Sequence, residues 1–265
     1  MFLSDLYKNP LDFVDQYRKN YPFPHIVLDN FISKDLLESV LEEFPDLSTI
    51  KNKVQFANQK EIKFASKGTS DLSPSARVLI NYLNSDKFLE YLQILTGVKE
   101  TLISDPYLSG GGYHEIKSGG VLKVHADYNK HPKLDLDRRI NLLLYLNKDW
   151  EPTWGGNLEL YDSKNLNSPE VSIEPIFNRC VIFTTTSFTY HGHPEHLKCP
   201  EERSRKSIAL YYFSTGRPES DVSFHRHSTL FIETKGEKFL PDIKEKIIDW
   251  LPPIFIRGLK KLLKK

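Results

Sequence analysis

Between Thr101 and Phe213 the chain is written as short runs of β-branched, aromatic and aliphatic residues broken by turn residues. No strong helical period interrupts that stretch. The runs fall at 101–108, 113–116, 121–127, 139–146, 157–161, 171–173, 179–184 and 207–213. About eight short strands after a helical start point to a jelly roll buttressed by helices. The start is helical by its own signals. Asn9-Pro10 reads as an N-cap followed by Pro at the first helical position, with Phe13, Val14 and Tyr17 on one face. Residues 21–24 stop that helix, and 25–31 reads as a strand. Ser33 caps a second helix with the apolar stripe Leu36, Leu37, Val40, Leu41 and Phe44. Ser73-Pro74 opens a third helix through Leu83, and Ser85 opens a fourth that ends at Gly97. The polar segment 51–73 has no period and reads as a loop or a loose hairpin, either a lid or a plain surface excursion.

With 265 residues the chain can bury one large β-rich core, and neither a repeat nor a linker asks for a second domain. The expected division is a helical support region over 1–100, the β core over 101–214 and an extension over 215–265. Lys plus Arg number 36 against 35 Asp plus Glu, so no broad nucleic-acid-binding surface is expected. Cys180 and Cys199 are too few for a disulfide framework, and Cys180 sits in an apolar run as a core residue. Asp5 and Lys8 interrupt the N-terminus before any signal-peptide core, and no stretch reaches the ~20 apolar residues of a membrane span. The expectation is a cytoplasmic protein.

The chemistry starts at His125 and Asp127. If 121–127 is extended, alternate side chains share a face, and both reach toward one point with Ala126 turned away. With a second His they would form the 2-His-1-carboxylate triad of non-haem Fe(II) oxygenases, which leaves metal positions open for a co-substrate and O2. His-x-Asp alone is common, and the ordinary alternative is a strand end with two solvated polar residues. His191 and His193, just past the apolar run Cys180-Val-Ile-Phe183, are both candidates for the third ligand. From Arg205 to Tyr211 one strand face reads Arg, Ser, Ala, Tyr. A buried Arg needs a partner. A dicarboxylate co-substrate gripped by Arg205 with help from Ser207 is one; an Asp or Glu of the chain is the other. Tyr145 shares a face with Asn141 and Leu143, and its phenol needs a carboxylate or a backbone carbonyl. Trp154-Gly155-Gly156 reads as a turn into the next strand.

In that order, His125-x-Asp127, His191 and Arg205-x-Ser207 resemble the Fe(II)/2-oxoglutarate-dependent dioxygenases. Tyr145-Leu-Asn-Lys-Asp-Trp150 with Gly155-Gly156, and Arg205 with the strand end Tyr211-Tyr-Phe213, resemble the prolyl 4-hydroxylase branch. The likeness covers roughly residues 101–214. It implies a double-stranded β-helix, a cupin-like jelly roll, mostly β with flanking helices. It implies Fe(II) bound by His125, Asp127 and His191, with His191 preferred because a Gly follows it directly. Arg205, Ser207 and Tyr145 would hold 2-oxoglutarate. The cofactors implied are Fe(II), 2-oxoglutarate and O2, with ascorbate as a further candidate. The implied activity is hydroxylation of an unactivated C–H bond with release of succinate and CO2. The substrate is a small metabolite, amino acid, sugar or peptidyl proline. The rival reading is a non-catalytic cupin-like protein that binds a metal or ligand. At the C-terminus, Phe255, Leu259, Leu262 and Leu263 fall near one helical face beside Arg257, Lys260, Lys261, Lys264 and Lys265. That tail reads as a packed terminal helix, or as a weak contact with a membrane surface or a protein.

Overall fold

The computed structural model describes residues 2–221, 226–234, 236, 238 and 239; the basic tail lies outside them. The helices begin and end largely where the capping residues stand. Asn9 accepts a hydrogen bond from the Leu11 amide at 3.3 Å and opens a 3-10 turn that runs into α1 (Val14–Lys19). Ser73 accepts from the Ala76 amide at 3.3 Å and starts α3 (Pro74–Leu83). α4 (Asp86–Thr96) stops at Gly97, whose φ of 72° is the left-handed turn that Gly tolerates. Ser33, before α2 (Lys34–Glu42), and Ser85, before α4, make no capping bond through their side chains. No described helix is long and apolar enough to cross a membrane.

The strands are β1 (His25–Asp29), β2 (Lys53–Ala57), β3 (Glu61–Ser66), β4 (Ile103–Ser104), β5 (Gly112–Lys117), β6 (Val121–Ala126) and β7 (Asp137–Tyr145), then β8 (Leu158–Tyr161), β9 (Val171–Ile173), β10 (Arg179–Thr184), β11 (Tyr190–His193), β12 (Ser204–Ser214) and β13 (Leu230–Phe231). Among the described residues they make one antiparallel sheet in the order β1-β10-β7-β12-β5-β3-β6-β11-β8-β9. β3 lets the sheet curl. Its Phe64 and Ala65 pair with β5, while Glu61 and Ile62 pair with β6. The curl brings β6-β11-β8-β9 over β5-β12-β7-β10, so the fold is mostly β, a double-stranded β-helix with flanking helices. The segment 51–73 is the β2–β3 hairpin, so the first hundred residues supply three strands as well as the helices.

Two apolar layers hold this arrangement. Ile140, Leu142 and Leu144 of β7, with Ile208, Leu210 and Tyr212 of β12, pack outward against Leu37, Leu79, Leu83 and Phe88 of the helices. Inside the curl, Tyr145, Val181 and Phe183 meet Leu158, Leu160 and Ile173 from the opposite face. β7 is therefore buried on both faces, which explains its unbroken apolar reading. The expected strand at 101–108 shrinks to β4. Asp105 accepts from the Tyr107 amide at 2.8 Å and from the Ser109 amide, and Leu108 takes a φ of 46°, so the chain turns there.

Candidate active site

β6 and β11 lie antiparallel with His125 directly opposite His191. The two rings sit 4.5 Å apart between centroids. Asp127, just past the end of β6, approaches both: its Oδ1 is 3.7 Å from His125 Nε2 and its Oδ2 is 3.4 Å from His191 Nε2. One ligand atom from each of the three lies within 4.8 Å of the others, and all three residues are buried. Each His is oriented by its own strand. His125 Nδ1 faces the Lys123 carbonyl at 2.8 Å, and His191 Nδ1 faces the Thr189 carbonyl at 3.1 Å. Those contacts place the proton on Nδ1 and leave the Nε2 lone pair free toward the shared point. Burial, then the neighbouring His125, pushes His191 down to about 4, so it is neutral at physiological pH. Burial, the largest influence, pushes the Asp127 carboxyl up, but Arg138, His191 and His125 together outweigh it and hold the group well below the usual range. Two imidazoles whose Nε2 atoms face one point and an ionised carboxylate form a donor set that fits a divalent iron ion.

The strand β11 carries a local irregularity between its two histidines. Its register shifts between His191 and His193, so His193 faces Leu122. Gly192 sits in the shift: a Cβ there would come within 2.9 Å of the Leu122 carbonyl oxygen and 3.0 Å of that of Lys123. His193 is buried, outside the three-residue cluster, and neither ring nitrogen has a hydrogen-bond partner.

Behind the cluster, Tyr145 and His114 flank Ser207 across β7-β12-β5, one on each side. Arg205, two residues before Ser207 on the same buried face, donates to the Gly156 carbonyl at 2.7 Å and to the Tyr145 hydroxyl at 3.1 Å. No carboxylate among the described residues pairs with it. Gly156, with φ 79°, leaves the space that Arg205 fills: a Cβ there would meet Arg205 Cδ at 3.0 Å. Burial pushes the Tyr145 phenol up, so it stays protonated, although Arg205 pulls the other way.

Two residues without a role assigned from sequence complete the centre. Asn141 donates to Asp127 Oδ2 at 2.6 Å and accepts from Arg138 Nε at 2.9 Å. Arg138 NH2 stands 3.1 Å from the same Oδ2 as an ion pair, and its guanidinium lies over Tyr211 at 3.5 Å and Tyr128 at 4.4 Å. The sequence signals were an Asn inside an apolar strand and an Arg at its start, each asking for a buried partner. A cavity of about 680 Å³ opens in front of His125 and Asp127.

A curled β-helix thus gathers two His and one Asp at its strand ends, with an acid-free buried Arg behind them. The sequence model of the 2OG-Fe(II) oxygenase superfamily, whose members use Fe(II), 2-oxoglutarate and O2, matches residues 111–213. Among curated proteins, the chain is 26% identical over 241 residues to "Prolyl 3-hydroxylase OGFOD1" of Mus musculus, covering 89% of this chain and 40% of that protein. The chain thus spans less than half the length of that relative. Two solved structures share the fold. One is a prolyl hydroxylase from Trichoplax adhaerens in complex with a hypoxia inducible factor peptide fragment, with TM-score 0.57 and 23% identity over 79% of this chain and 92% of that one. The other is a prolyl-4-hydroxylase from Pseudomonas putida, with TM-score 0.54 and 16% identity over 79% and 100% of the two chains. These findings favour the catalytic reading over a non-catalytic binding protein.

Proposed function

We propose that this chain hydroxylates a prolyl residue of a polypeptide, using Fe(II), 2-oxoglutarate and O2. The observation that carries the reading is the convergence of His125, Asp127 and His191 on one buried point with both Nε2 lone pairs free. Those three would hold the iron. Arg205 would pair with the distal carboxylate of 2-oxoglutarate, with Tyr145 and Ser207 beside it. The acid-free guanidinium is what a buried dicarboxylate satisfies. When bound, iron and 2-oxoglutarate supply the oxidation, converting 2-oxoglutarate and O2 to succinate and CO2 and placing one oxygen atom in a substrate C–H bond. The chain does the rest. Arg138 and Asn141 keep Asp127 ionised and fixed. Tyr145 and Gly156 aim Arg205. The inner layer of Leu160, Val181 and Phe183 keeps water from the back of the centre. The prolyl substrate rests on the named activities of the relatives, and the aromatic lining of the cleft by Phe56, Tyr107, Tyr128 and Tyr211 suits a proline ring.

The test is iron-dependent conversion of 2-oxoglutarate to succinate by the purified chain, with and without prolyl peptides. Asp127→Ala should abolish it while the fold survives; full turnover in that variant would sink the assignment. His191→Ala should also be inactive. If His193→Ala is dead and His191→Ala is active, the third ligand is His193.

A further inference from the structure

Among the described residues, the cleft in front of His125 and Asp127 is lined by Lys63, Lys67, Lys130, Lys133, Arg138 and Arg226, with Glu61 and Asp127 as its acids. Three of the cations are matched. Lys63 pairs with Glu61 at 3.1 Å, Lys130 with Asp137 at 3.1 Å, and Arg138 with Asp127 at 3.1 Å. The other three have no carboxylate partner among the described residues. They also lie along one rim. Lys67 precedes Gly68, whose Cβ position is 3.7 Å from the Tyr107 carbonyl oxygen. Lys133 Nζ sits over the Tyr107 ring at 4.5 Å. Arg226 donates to the His131 carbonyl at 2.8 Å and to that of Pro132 at 2.9 Å. Lys67, Tyr107, Lys133 and Arg226 therefore make a continuous basic edge with one half-exposed aromatic ring in its middle.

We infer that the substrate of this site is an acidic polypeptide segment, with carboxylates flanking the residue that is oxidised. The inference rests on the oxygenase reading and adds the substrate's charge. The three cations come from three separate segments, and Lys133 and Arg226 are each held by a neighbour of their own, the Tyr107 ring and the His131 and Pro132 carbonyls. A chain that carries several carboxylates can pair with cations placed so along an edge. Unmatched cations beside low-dielectric walls raise the local concentration of such a chain and speed its capture. Tyr107 offers a flat apolar face for the peptide between its charges.

The experiment uses the full chain loaded with Fe(II) and three peptides that share one prolyl core, flanked by Asp and Glu, by Ser and Gln, or by Lys. Binding is read by fluorescence polarisation of the labelled peptides, and hydroxylation by a mass gain of one oxygen. The acidic peptide should bind roughly tenfold more tightly than the neutral one, since three exposed pairs each give about a factor of two. That advantage should shrink as salt rises. Lys133→Glu combined with Arg226→Glu should reverse the ranking so that the Lys-flanked peptide binds best, a result an unfolded variant cannot give. Equal binding of all three peptides, tighter binding of the neutral or basic one, or no binding by any, overturns the inference. Turnover of 2-oxoglutarate without peptide is measured in parallel. Its absence counts against the oxygenase reading, while the charge preference is still read from binding.

Discussion

Arg138 is almost fully buried, and a buried guanidinium is tolerable only with its charge matched. Asp127 is the match, and the two aromatic faces of Tyr128 and Tyr211 replace part of the lost hydration. Arg138 thus holds the proposed metal-binding carboxylate from behind, as outer partners in metal sites commonly do. Arg138→Met keeps much of the volume and removes the charge. Metal affinity of the apoprotein, read by titration with Mn(II) or Co(II), should fall roughly 10-fold to 100-fold. Asn141→Leu should fall in the same range, since it removes the donor to Asp127 and the acceptor for Arg138. An unchanged affinity in both would mean that β6 alone fixes Asp127. Arg205 makes a different case, because it touches none of the three proposed ligands. Arg205→Ala should raise the 2-oxoglutarate concentration needed for turnover far more than the iron requirement. An unchanged 2-oxoglutarate requirement would hand the role to Arg203 or Lys206.

At the scale of elements, the β6–β11 ladder is what brings the site together, and Gly192 is its tightest point. Leu122 and Lys123 backbone carbonyls cannot move aside as a flexible side chain would. Gly192→Ala should therefore push β11 off β6 and separate His191 from His125. Overpacking of this kind costs about 1–3 kcal/mol. Thermal unfolding should show a lower midpoint and metal titration a weaker site; a variant equal to wild type in both would show that the strands shift freely. The same ladder marks the limit of what was legible in the sequence. Short apolar and β-branched runs revealed β6, β7, β10 and β12, and the two-residue spacing of His125 and Asp127 survives as one corner of the cluster. The choice between His191 and His193 was beyond alternation, because residues two apart on a strand share a face. The pairing across to β6 puts His191, and not His193, beside His125 and Asp127. Asp105 ended a strand that the composition of 101–108 supported, since side-chain bonds to the Tyr107 and Ser109 amides compete with the ladder. β13 was not foreseen. Its two residues pair with Ala126 and His125 over a long sequence separation, and Phe231 lies 5.3 Å from the His125 ring.

For the whole molecule the question is how much of the chain the β core needs in order to fold. The superfamily match begins at residue 111, which invites removal of everything before it. The packing argues against that. The outward faces of β7 and β12 hold Ile140, Leu142, Leu144, Ile208, Leu210 and Tyr212, each at most 1% exposed, and the helices are what cover them. Each such side chain gains about 1.5–3 kcal/mol from burial, so uncovering six forfeits on the order of 10 kcal/mol. That is comparable to the roughly 5–15 kcal/mol net stability of a domain. The same cut removes β1 from the edge of β10, and β3 from between β5 and β6, where the curl closes. A chain starting at residue 101 should therefore fail to fold, giving insoluble protein or rapid proteolysis and no protection by Mn(II) with 2-oxoglutarate. A soluble, protease-resistant fragment that binds both would show that the β-helix closes without its helical backing. Asp29 offers a finer measure of that docking. Arg179 grips it through two nitrogens, at 2.6 Å and 2.9 Å, tying β1 to β10. The Arg179 hydrogen bond holds the Asp29 carboxyl below its ordinary value, although burial opposes it. The stability this pair contributes is present above the unfolded carboxyl value of about 4 and is lost as pH falls through the lower folded value. Asp29 is half exposed, so the contribution is discounted to that of a surface pair, at most about 1 kcal/mol. Arg179→Gln should lower the unfolding midpoint at neutral pH, and the gap to wild type should close in acid. A gap that stays constant as the pH falls would mean that Arg179 acts through its bond to the Glu174 carbonyl and not through the charge of Asp29.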